Sequence, residues 1–152
     1  MLLSALIIEA IDLEALIDEI YKRAAELALD GNIARELTGL AGEELDHASL
    51  LRAGRNYLTR APEAFGEATI SREELLQGLK ATRELLGMIE GKKLLLSQIL
   101  ERLMKLEIQF EKIHLQTIVE IKDENLKKLF QKLSGEDRKH TERLSRLLES
   151  LK

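Results

Sequence analysis

The chain has no cysteine and no tryptophan, one proline in 152 residues, and only two tyrosines and three phenylalanines. Without cysteine there is no disulfide, thiolate nucleophile, zinc–thiolate site or iron–sulfur centre, and no positive mark of secretion. A single proline leaves long uninterrupted helices possible nearly everywhere. The 3 % aromatic content and a formal charge of −4, spread in both signs, argue against a nucleic-acid surface. Long apolar runs are missing too. The opening MLLSALIIEAIDLEALIDEI has no basic leader, and Glu9, Asp12 and Glu14 break it before a membrane-spanning length. It reads as an amphipathic helix of a soluble, cytoplasmic protein with no membrane partner.

What the chain does contain is helix-forming material: 45 % apolar and 33 % charged residues, dominated by Leu, Ala, Glu, Lys and Arg. Its length fits a single domain over residues 1–152. Four long helical patterns stand out, at about 3–29, 33–59, 91–121 and 126–151. The first stops at Asp-Gly-Asn, where Gly31 is expected to take a left-handed cap. Short turns inside each pair make two hairpins, about 3–59 and 91–151. The 61–90 connection is a crossover with an extra short helix, opened by the capping box Ser71-Arg72-Glu73-Glu74 and punctuated by Gly87 and Gly91. The expected fold is therefore all-α, a four-helix bundle with one long crossover.

Alternating steps of three and four keep one helical face toward a core. The first helix then presents Leu3, Ile7, Ala10, Glu14, Ile17, Tyr21, Ala24 and Ala28. The second presents Ile33, Leu37, Leu40, Glu44, His47, Leu51, Gly54 and Leu58. Leu96, Leu100, Leu103, Glu107, Phe110, His114, Thr117 and Ile121 follow on the third. The fourth has Leu126, Phe130, Leu133, Asp137, His140, Leu144, Leu147 and Leu151. Each stripe is oily except near its middle, where it carries a carboxylate; the second and fourth add a histidine one turn on. Four buried carboxylates repel one another and are costly to desolvate. Two divalent cations neutralise them, with the imidazoles as neutral ligands. Charge balance thus predicts a dinuclear metal site, and oxygen and imidazole donors suit iron, with manganese or a mixed pair as the other choices.

A repeat underlies the pattern. LAGEELDH at 40–47 and LSGEDRKH at 133–140 lie 93 residues apart, and that same shift brings Glu14 onto Glu107 and Tyr21 onto His114. Asp30 and Asn32 fall on Asp123 and Asn125, and the acid-to-acid spacing is 30 residues in both halves. A duplicated hairpin explains this, each copy supplying half of one site about a pseudo-twofold axis.

One Glu from each of two helices with an acid-x-x-His pair from each of the others resembles the ferritin-like di-iron carboxylate family. Glu14 to Tyr21 and the GEELDHA segment are most similar to its rubrerythrin branch. The resemblance covers about 3–58 and 96–151. It implies a ferritin-like bundle whose metals react with dioxygen or hydrogen peroxide, held by Glu14 and Glu107 with Glu44, His47, Asp137 and His140. Three departures are visible. Asp137 is one methylene shorter than the family's glutamate. Phe110 stands where peroxide-reducing members carry a further carboxylate; Glu111 is the neighbouring substitute, though it points partly away from the stripe. The missing cysteines mean no rubredoxin module, so an oxidoreductase of this kind needs an external electron donor.

Several residues have two readings. Tyr21 is either a core tyrosine bonded to a carboxylate or a redox-active group beside the metals. His114 is a core histidine, a donor that orients a carboxylate, or an additional ligand. Glu43 and Glu136 also precede the histidines, one step off the stripe, and rank below Glu44 and Asp137. Apolar residues off the first stripe (Leu2, Leu6, Ile8, Ile11, Leu13, Leu16 and Ile20) fit packing by the crossover or a homodimer interface. The function expected is a peroxidase- or ferroxidase-type oxidoreductase; the alternative is a bundle that holds metal without turning over.

Overall fold

A computed structural model describes residues 3–60, 72–120 and 122–152. Among them are five helices and no strand: α1 (Leu3–Leu27), α2 (Gly31–Arg60), α3 (Arg72–Glu90), α4 (Leu96–Glu120) and α5 (Glu124–Ser150). None is long and apolar enough to cross a membrane. The most extensive packing is within the two hairpins, α1 with α2 and α4 with α5. Smaller interfaces between α2 and α5, and between α1 and α4, join the hairpins into a bundle.

The direction of α5 along α2 follows from side-chain pairs. Arg143 reaches Glu36, His140 reaches Glu43 and Glu44, and Tyr57 reaches Asp123, so one number rises as the other falls. The two helices are antiparallel. Their hairpin turns therefore lie at opposite ends of the bundle.

The 28–30 turn differs from expectation. Gly31 is not a left-handed cap; Lys92 (φ 53°) is the only described residue of positive φ, and Gly31 opens α2. The reason is Asp30. Its Oδ1 accepts from the amides of Asn32 (2.7 Å) and Ile33 (3.1 Å), which starts the second helix early. Asp123 does the same for α5, its Oδ1 accepting from the Leu126 amide at 3.0 Å. Ile33 and Leu126 correspond under the 93-residue shift, so the repeat extends to the caps. Asp30→Ala and Asp123→Ala should each lower the melting temperature by roughly 2–4 °C, since a lost cap costs about 1 kcal/mol. The double variant should lose the sum, because the caps sit at opposite ends. Thermal unfolding by circular dichroism reads this, and no change in either single variant would remove the caps from the account.

The crossover helix is also not short. α3 has 19 residues and packs on α1 and α4. Its start at Arg72 agrees with the expected capping box, but Ser71 lies outside the described residues. Leu75, Leu79, Leu85 and Ile89 are its buried face. With α3 there, α1 is buried on two sides, so Ile11, Leu13 and Ile20 are inside as well as the main stripe, while Ile8 is 47 % exposed. The hairpin-2 helix expected from 91 begins at Leu96 instead. Lys92 in the left-handed region breaks the chain there, and the Leu95 amide donates to Gln98 Oε1 (2.9 Å) as half of a capping box.

Candidate metal centre

Halfway along the bundle the oily core becomes polar. Glu14 of α1, Glu44 and His47 of α2, Glu107 of α4, and Asp137 and His140 of α5 are all buried, none more than 3 % exposed. Leu37, Leu40, Leu103 and Leu144 on one side of that level, and Leu51, Phe110, Phe130 and Leu133 on the other, are buried with them and shut out water. The side chains converge because each helix holds its acid at the same phase as its leucines. The half-exposed Glu43 and Glu136 lie outside this group.

The two imidazoles stack, centroids 5.0 Å apart and planes 15° from parallel. Nδ1 of His140 stands 2.8 Å from Glu44 Oε1 and 3.3 Å from Glu107 Oε1. Nδ1 of His47 is 3.6 Å from Glu44 Oε2 and 3.7 Å from Glu14 Oε2. Glu44 thus lies between both rings. Ligand atoms within 4.8 Å of one another form two buried groups, Glu44–His47–His140 and Glu14–His47–Asp137. These groups cut across the repeats. The acid of each acid-x-x-His pair sits with a histidine of the other hairpin as well as near its own level.

Tyr21 and His114 stand behind the acids. The Tyr21 hydroxyl donates to Glu107 Oε1 at 2.8 Å, across from α1 to α4, and the ring is fully buried and nearly perpendicular to that of His140. Its position is that of a core tyrosine bonded to a carboxylate. His114 Nδ1 is 2.5 Å from Asp137 Oδ2, so it orients that carboxylate. Here the repeat breaks. Tyr21 crosses between hairpins, whereas its counterpart His114 bonds within its own.

The electrostatics show how uneasy this cluster is without cations. Burial pushes Glu14 up, but the nearness of Glu44 and His47, and the charge of His47, overcome it and bring Glu14 to about 2. Burial and the negative charges of Glu107 and Glu14 drive Glu44 well above the carboxylate range. His47 is lowered by burial yet raised more by Glu14, ending at about 9. Burial raises Asp137 to about 6 against the opposing pull of His114. The metal-free cluster therefore favours a proton on His47 at neutral pH and disfavours the ionised form of Glu44. Even so, both oxygens of Glu44, Nδ1 of His47, Oε2 of Glu107 and Oδ1 of Asp137 accept or donate no hydrogen bond. Buried polar atoms without partners are rare, and an ion is a standard reason for them. The donor set, four carboxylates and two imidazoles, fits two divalent cations by charge and by type.

Two features were not anticipated from the stripes. Asp18, one turn beyond Glu14, is 5 % exposed and paired through Oδ2 with Lys22 Nζ at 3.0 Å. The signal was an acid among the off-stripe apolar residues of α1. Arg143 spans Glu43 and Glu36 from α5 to α2, a contact between helices distant in sequence. No protein-family model, curated protein or solved structure matches this chain.

Proposed function

We propose that the chain is a ferritin-like dinuclear metal protein, an oxidoreductase in which a pair of iron ions reacts with hydrogen peroxide or dioxygen. One observation carries the reading: four carboxylates and two imidazoles share a buried level with several of their atoms unpartnered. Glu14, Glu44, Glu107 and Asp137 would hold the ions, with His47 and His140 as neutral nitrogen donors. Iron held there would supply the electrons for reducing the oxidant, with an external donor needed to restore them. The chain's own residues do the rest. Tyr21 fixes Glu107 by its hydroxyl, and His114 fixes Asp137 from Nδ1, so two of the acids are held from behind. The surrounding leucines and phenylalanines keep bulk water from the cluster.

A second reading is a metal-holding bundle without turnover. It is favoured by Phe110, buried where a further carboxylate would be needed, and by Glu111, which is engaged by Arg138 Nε at 2.9 Å. Stopped-flow mixing separates the two. Protein loaded anaerobically with ferrous ion should be oxidised by peroxide or dioxygen faster than free ferrous ion. If neither oxidant gains any rate, only the holding role survives. His47→Ala and His140→Ala should each lose about one of two bound equivalents, as removed ligands weaken a site tenfold or more. Retention of both ions at full affinity would contradict the ligand assignment.

A further inference from the structure

Between α2 and α5, outside the buried cluster, lies a cavity of about 190 Å³ lined by Glu43, Asp46, His47, Leu50, Lys132 and Glu136. Three carboxylates there face one ammonium group. Glu43 and Glu136 are equivalent under the 93-residue repeat, and the antiparallel packing of α2 on α5 brings the pair together. One ligand atom from each of Glu43, Glu136 and His140 lies within 4.8 Å of the other two. His140 is fully buried, and its Nε2 has no hydrogen-bond partner while standing 3.8 Å from Glu43 Oε2. A buried ring nitrogen facing two carboxylates is the second mark of a ligand, independent of the acids.

We infer that Glu43, Glu136 and Nε2 of His140 form an outer cation site that passes divalent ions from the cavity to the inner cluster. The inference rests on the reading of that cluster as a metal centre. One ring faces both sites: Nδ1 of His140 lies 2.8 Å from Glu44 Oε1 and 3.3 Å from Glu107 Oε1 in the inner cluster, while Nε2 stands 3.8 Å from Glu43 Oε2. A neutral imidazole has one ring nitrogen free to bind a cation, so the ring serves one site at a time, which makes the outer one a way station and not a third store.

Local cations set its strength. Arg143 Nη1 bonds Glu43 Oε2 while Nη2 is 3.3 Å from Glu36, and Lys139 Nζ is 3.5 Å from Glu136 Oε1. Both are flexible side chains reaching from α5, able to swing aside for a divalent ion. Arg143 is the closer competitor, so its removal strengthens the outer site.

The test uses cobaltous ion and the metal-stripped full chain, with uptake followed by visible absorption in a stopped-flow instrument and bound metal counted at saturation. Electrostatic capture commonly changes arrival rates by 10-fold or more, so Glu43→Gln/Glu136→Gln should take up cobalt about tenfold more slowly and still reach two equivalents. Arg143→Gln should take it up severalfold faster than the natural chain. If the double variant does not fold, the Arg143 arm decides alone. Wild type and double variant filling two equivalents at one rate, or Arg143→Gln gaining no speed, would overturn the outer site and leave the inner centre standing. A wild-type chain that binds no cobalt overturns the inner reading, and the outer one with it.

Discussion

Two equivalents of manganous or ferrous ion should raise the melting temperature of the metal-stripped protein by roughly 15–30 °C. The size follows from linkage. An ion that binds only the folded chain adds about 4 kcal/mol per site at a thousandfold excess over its Kd. Two sites add about 8 kcal/mol, and a domain of this length gains roughly 2–4 °C per kcal/mol. The physical source is the cluster itself. Folding without metal leaves Glu44, Glu107, Asp137 and His47 with unpartnered atoms in a dry interior, and a bound ion would satisfy them together. Anaerobic calorimetry with and without metal measures the shift. A rise below about 3 °C at saturating metal would mean these side chains are not ligands.

The second result concerns pH. Before ions enter, His47 must give up a proton, since it is held at about 9, and the raised Glu44 carboxyl works in the same direction. The combined binding constant for the pair should therefore fall by roughly tenfold or more per pH unit as the medium is acidified from 8 to 6. Metal uptake in weakly buffered solution at pH 7 should release about one proton or more. The metal-free chain should behave oppositely. His47 rises from 6.5 to about 9 on folding, so its stabilisation is full below pH 6.5 and disappears as pH climbs through 9. Glu44, also raised, acts in the same direction. Glu14, lowered to about 2, matters only in acid, where its contribution is lost as pH falls below 4.5. Between pH 6.5 and 9 the melting temperature should drop without metal and climb at fixed metal concentration. Parallel curves would mean that metal does not displace these protons.

The stripes on all four bundle helices were legible because alternation of three and four residues survives over eight positions, and an acid inside it is conspicuous. Glu14, Glu44, Glu107 and Asp137 could be placed at one level from spacing alone, and all are buried. The caps were harder. Asp-Gly-Asn has two readings, a glycine that ends one helix or an aspartate that begins the next, and only the hydrogen bonds from Asn32 and Ile33 to Asp30 decide. Asp18 was hidden because it lies off the main stripe, where the helix's own periodicity does not reveal burial. The bond of His114 to Asp137 was equally hidden: it depends on ring orientation, and a helical wheel carries none. Local periodicity reveals which face is interior; it does not reveal which neighbour arrives there.

The matched aspartate caps have one more consequence. Fourteen residues separate Asp30 from Glu44 and fourteen separate Asp123 from Asp137, about 21 Å of helix in each case. Because α2 and α5 run in opposite senses, these are two equal rulers laid inward from opposite ends, and they meet at mid-bundle. A single inserted residue on either ruler would slide its acid by about 1.5 Å and rotate it by about 100°, out of the shared layer. Evolution can lengthen this molecule at the crossover or beyond its final helix, but not between a cap and its acid.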